Sequence, residues 1–201
     1  GEYICVFHQD DLMLPDNLRQ KVDMLDQHPA VGMVHSSVSQ MGPAQEFISD
    51  WWYFKPDPSE QGVQRGPAFY KRLLSAVNIV CAPSVVARRA CYTRLGGFDA
   101  RLPFTADWEM WLRLALFYDV GYLVAPLVRY RRHENNETLN YTGDQDLEQR
   151  FRAKAIALEK FAERLPAAAA LRAKLVLDAS EESGERAGQR LRPRADSGGE
   201  T

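Results

Sequence analysis

The chain reads as an α/β domain: a mixed sheet flanked by helices, with C-terminal helices and a disordered tail. Three observations predict this class. Short apolar runs such as Tyr3 to Phe7 and Val31 to His35 alternate with segments of helical period. With 201 residues, 45% of them hydrophobic, the chain can bury one sizeable core. Acidic residues close the first apolar run, in Phe7-His8-Gln9-Asp10-Asp11, at the strand end where open α/β sheets bind ligands.

The elements follow in order. Tyr3 to Phe7 is rich in aromatic and branched residues and predicts a buried strand. Pro15 to Gln27 is helical in pattern, with Leu18, Val22 and Leu25 on one stripe, and His28-Pro29 stops it. Val31 to His35 predicts a second strand. From about Ser39 to Gly66 the period fails and Pro43, Pro56, Pro58 and Gly62 intervene, so an irregular excursion is expected. Trp51-Trp52-Tyr53-Phe54 inside it suits a staple over the core or a stacking platform for a sugar or partner.

Phe69 to Val77 reads as helix, and Ser84 to Ala87 as a strand leading into a short helix that ends at Leu95. Gly96-Gly97 is a helix stop with capacity for positive φ. Ala106 to Phe117 predicts an amphipathic helix on which Glu109 can pair with Arg113. Val120 to Val124 and Leu127 to Tyr130 predict two short strands around Pro126. Gln145 to about Ser180 is helical with a break near Pro166. Past Glu181, Gly, Arg, Ser and Asp dominate without period, which predicts disorder. The domain reading is 1–138, then a helical extension over 139–182, then a tail over 183–201.

A formal net charge of −2 offers no global basic field for nucleic acid. No apolar stretch is long enough to span a bilayer, and no secretory signal opens the chain. Cys5, Cys81 and Cys91 lack C-x-x-C spacing and sit in apolar segments, so reduced, buried thiols in a cytoplasmic protein are expected. Asn136-Glu137-Thr138 and Asn140-Tyr141-Thr142 then read as chance glycosylation sequons.

Neighbouring carboxylates repel unless a cation or proton lies between them, so Asp10 and Asp11 suit a divalent metal serving a phosphorylated substrate. The same pair suits a plain turn and helix cap. Asp107 falls in the first turn of its helix, as a cap or as a general base beside Trp108 and Trp111. His133 ends Arg129-Tyr130-Arg131-Arg132-His133, where imidazole could join a carboxylate-bound metal and arginines could meet a diphosphate. A surface basic cluster is the alternative.

In this order, His-Gln-Asp-Asp after a strand, Gly-Gly-Phe-Asp, Ala-Asp-Trp-Glu-Met-Trp-Leu-Arg-Leu and Tyr-Arg-Arg-His, the chain resembles the family 2 glycosyltransferases of the GT-A fold over roughly residues 1 to 138. The resemblance implies a Rossmann-like GT-A sheet and inverting transfer of a sugar from a nucleotide-diphosphate sugar to the hydroxyl of a glycan, lipid-linked or other acceptor, as in cell-surface polysaccharide synthesis. It makes Asp10, with Asp11 beside it, the Asp-x-Asp ligand of Mg²⁺ or Mn²⁺, and Asp107 the catalytic base. His133 would contact the metal or diphosphate, Gly96 and Gly97 the donor and acceptor, and Arg132 and His8 the donor. Many relatives carry Asp where this chain has His8.

The family's first half, which holds the nucleotide base, has no counterpart before Gly1. A fragment lacking that half is therefore expected. Localisation at the inner face of a membrane, by peripheral association, is compatible with this. Two rival readings stay open: a metal-dependent nucleotidyltransferase, and an inactive fragment or binding module.

Overall fold

A computed structural model describes residues 1–50, 57–75 and 77–161. Residues 1–157 make one compact unit; a second unit begins at Leu158 and is described only through Phe161. The strands are β1 (Tyr3–Ile4), β2 (Leu12–Met13), β3 (Val31–Met41), β4 (Phe47–Ser49), β5 (Gly62–Gln64), β6 (Val86–Arg88) and β7 (Asp119–Arg131). The helices are α1 (Asn17–Gln27), α2 (Gly66–Ser75), α3 (Arg89–Leu95), α4 (Ala106–Ala115) and α5 (Asp144–Phe161).

All seven strands share one sheet in the order β1-β6-β3-β7-β2, with β4 added to β3 and β5 to β7. The central pair, β3 and β7, is parallel, and the other pairings are antiparallel. The mixed α/β class expected from the sequence is therefore the one observed.

The parallel pair sets the core. Successive side chains of a strand point to opposite faces. Val34 packs with Leu25 of α1, while the next residue, His35, meets Phe69 of α2 and Tyr122 of β7. Helices thus cover both faces, which is why β3 is buried almost throughout. Gly121 makes this closeness possible: a Cβ there would lie 2.5 Å from the Met24 sulfur. On the second face α2 packs on α4. From Trp108 to Ala115, α4 is buried on every side, so the amphipathic expectation fails there.

Several boundaries differ from expectation, each for a physical reason. The first strand keeps only Tyr3 and Ile4 and sits half-buried at the sheet edge, with Val6 exposed. The second strand runs on to Met41, because pairing with β7 supports the polar stretch Ser36-Ser37-Val38-Ser39-Gln40. The two short strands around Pro126 are one strand. Its register against β3 jumps from Leu123 opposite Ser36 to Pro126 opposite Ser37, and this bulge absorbs the proline's missing N–H. The excursion after Met41 holds β4 and β5. Trp51 to Phe54, the break at Pro166 and the tail lie outside the described residues. No helix among the described residues is long and apolar enough to cross a membrane.

The largest departure is on α1. The buried line is Asn17, Lys21 and Leu25, while Leu18 is exposed. Asn17 donates from Nδ2 to the Leu127 carbonyl (2.6 Å) and accepts from Lys21 Nζ (2.8 Å). These bonds make burial of two polar residues tolerable. Desolvation still lowers the Lys21 pKa from 10.5 to about 8. The folded state then holds fewer protons than the unfolded chain between those values, so stability rises with pH across that window. Thermal melting from pH 7 to pH 11 should show this rise in the native protein, and Lys21→Met should lack it.

Candidate active site

β2 pairs with the end of β7 (Leu12 opposite Arg129, Met13 opposite Val128), and this brings the acidic turn beside the chain's last strand. Arg131 fastens the junction. Its Nε donates to the Asp10 carbonyl (2.8 Å), and its Nη1 donates to the carbonyls of Gly42 (3.1 Å) and Pro43 (2.7 Å). Its backbone N–H donates to Asp11 Oδ1 (2.9 Å). Asp11 is therefore turned inward, only 7% exposed, and burial raises its pKa against the opposing pull of that N–H. The Asp11 Oδ2 lies 3.7 Å from His8 Nδ1. Asp11 does not line the neighbouring cleft; it belongs to a turn and its carboxylate accepts a strand N–H, while the N-cap of α1 is Asp16.

Asp10 faces the other way. Its side chain is 41% exposed, and its Oδ2 lies 3.0 Å from His133 Nε2 across 123 residues of sequence. The loop carrying His133 is closed by Asn136, which accepts the His133 N–H (2.7 Å) and donates to the Arg131 carbonyl (3.0 Å). The Asn135 N–H donates to His133 Nδ1 (3.2 Å), which leaves the neutral imidazole's proton on Nε2, directed at Asp10. Ligating a cation through Nε2 requires the other tautomer and the loss of that bond. Donating to an oxygen does not.

Asp107 sits in the first turn of α4. Its Oδ1 accepts the Trp108 N–H (2.6 Å), which is the cap role, but its Oδ2 accepts from Asn78 Nδ2 (2.9 Å). The Asn78 Oδ1 takes the Val80 N–H (3.2 Å), so the amide can only present its NH₂ to the carboxylate. Desolvation raises the Asp107 pKa to about 6, although both hydrogen bonds favour the anion. A carboxylate so placed is anionic at neutral pH yet basic enough to accept a hydroxyl proton.

Asp10 and Asp107 line one cleft of about 830 Å³, together with His8, Asn78, Trp108 and Arg150. His133 reaches it through Asp10. The remaining expected residues are elsewhere. Gly96, at φ +85°, ends α3, and the carbonyls of Leu95, Gly96 and Gly97 accept from the Arg113 guanidinium at 2.6 to 3.3 Å. The expected Glu109–Arg113 pair exists, fully buried, at 2.7 Å. It grips the Gly-Gly turn, whose next residue, Phe98, does line the cleft. Arg132 donates its backbone N–H to Met41, and its side chain is not in the cleft wall.

Among the described residues no three His, Cys, Asp or Glu side chains converge to hold a metal. Asp10 and His133 are the oxygen and nitrogen pair available. Sequence reasoning missed Asn78, Arg131 and Asn136 as positioning residues. Asn136 alone carried a local signal, an Asn three residues after His133 and suited to close a turn.

No family profile and no curated protein matches the chain. Among solved structures it is similar to S. aureus TarS 1–349, with 11% identity and a TM-score of 0.52. The likeness covers 80% of this chain and 41% of that one, so the chain spans less than half of the structure it resembles. At that identity the shared property is the fold.

Two outcomes follow from these contacts. Arg113→Leu removes the buried guanidinium that pairs with Glu109 and binds the three carbonyls, and should cost about 3–5 kcal/mol in urea unfolding. Asn78→Ala removes a donor that favours the Asp107 anion; the carboxyl titration of Asp107, followed by NMR, should move upward from about 6.

Proposed function

We propose that the chain is the metal- and acceptor-binding portion of a GT-A glycosyltransferase that moves a sugar from a nucleotide-diphosphate sugar to an acceptor hydroxyl with inversion. One observation carries the reading: Asp10, paired with His133, and Asp107 open onto a single cleft although 97 and 123 residues separate them from Asp10 in sequence. The fold likeness to TarS, a GT-A glycosyltransferase, supports it at the level of architecture.

The donor set fits a divalent cation of the oxygen-seeking kind. Mg²⁺ is often held by one or two carboxylates with substrate phosphates filling the remaining positions, and Asp10 offers one exposed carboxylate. When bound, Mg²⁺ or Mn²⁺ would act as a Lewis acid that stabilises the diphosphate leaving group. His133, with its proton on Nε2, would donate to a diphosphate oxygen once Asp10 turns to the cation.

On the other side of the cleft Asp107 would accept the acceptor's proton as its oxygen attacks the anomeric carbon. Asn78 and the Trp108 N–H hold that carboxylate in place, and the buried α4 beneath it denies it a second orientation. A single displacement, with the base opposite the leaving diphosphate, inverts the configuration.

Asp107→Asn should lower transfer by about 10²- to 10⁴-fold while leaving donor binding intact, in an assay with a panel of nucleotide-diphosphate sugars and Mn²⁺. An equal loss of donor binding would reduce Asp107 to a helix cap. The native rate should climb with pH through about 6, as Asp107 loses its proton and becomes a base.

A further inference from the structure

The wall of the cleft beyond Asp107 is built by α5 and by the loops around Phe104 and Glu137. Its charges are unbalanced. Four carboxylates line the cleft, those of Asp10, Asp107, Glu137 and Asp146, and Arg150 is the single lysine or arginine among the described lining residues. Arg150 is already committed: its Nε and Nη2 meet the two Asp146 oxygens at 2.8 and 2.5 Å. Lys154 lies over the Trp108 ring at 5.2 Å but does not line the cleft. A cation at Asp10 would offset charge at the diphosphate end only, since screening and distance weaken its reach. At the α5 end the cleft wall also carries the aromatic residues Phe104 and the buried Trp108. Phe104 is held flat against Tyr141 (4.4 Å between centroids, 9° between planes), and Trp108 is fixed within α4.

We propose that the part of the cleft between Asp107 and α5 receives an uncharged sugar ring or polyol as the acceptor, and rejects acceptors that carry phosphate or carboxylate there. The term acceptor rests on the sugar-transfer reading; the charge preference does not. An anion entering this space meets the carboxylates of Asp107, Asp146 and Glu137, and among the described lining residues the one guanidinium, that of Arg150, already has Asp146 as its partner. A neutral ring can lay an apolar face on the half-buried Phe104 and direct its hydroxyls to the Asp146–Arg150 pair. One of those hydroxyls then lies toward Asp107.

Saturation-transfer NMR on the full chain, without donor or metal, tests this with methyl β-glucopyranoside and methyl β-glucuronide as paired probes. The neutral glycoside should bind about tenfold more tightly than the glucuronide. That gap should shrink in about 0.5 M NaCl, where charges are screened. In the Glu137→Gln variant the glucuronide should gain affinity while the glucoside changes little, with folding checked by thermal melting. Equal binding of the two probes to the native chain, or binding of neither, overturns the proposal. Both results leave sugar transfer standing, because that is read separately by donor hydrolysis.

Discussion

The site depends on one guanidinium. Arg131, at the last position of β7, is the point where the acidic turn, the end of β3 and the His133 loop meet, and it satisfies three carbonyls there. Planar, multiply donating and permanently charged, arginine can bind carbonyls in several directions at once, as a lysine could not. The Asp11–Arg131 backbone bond adds the complementary half, an anion on a strand N–H. Together they orient Asp10 outward and Asp11 inward, and so divide two adjacent, chemically identical residues into a cleft-facing one and a structural one.

A second arginine does the same on the opposite wall. Arg113, paired with Glu109 within α4, collects the carbonyls at the end of α3 and sets the turn that delivers Phe98 to the cleft. Arg113 is buried with a carboxylate and three carbonyls as its acceptors, which is the condition under which such burial is sustainable. The cleft thus has two rigid walls, each held by a side chain that never touches its contents.

The sequence made the α/β class legible because apolar runs and helical periods alternate, and it brought out Asp10, Asp107 and His133 because their motifs follow one another in a telling order. It could not show that Asp10 and Asp11 part ways, since the partner that separates them is 120 residues distant. Arg131 was read with Arg132 as a basic cluster for phosphate, yet its charge is directed at backbone. The stripe on α1 misled for a similar reason: Lys21 is polar in any window of sequence and becomes core only because Asn17 is there to receive it. Pro126 looked like a strand break, and only the facing strand reveals a bulge that admits it. Local chemistry was visible, while long-range satisfaction of polar groups was not.

The parallel pairing of β3 with β7 has a kinetic consequence. Residues 31–41 must wait for residues 119–131, and the intervening chain must close a large loop before the central ladder yields any return. On a ribosome, β3 would emerge and remain without its partner while α2, α3 and α4 formed. The cleft is consequently a late product of folding, completed only after β7, the loop around Glu137, and Asp146 and Arg150 of α5 have left the exit tunnel.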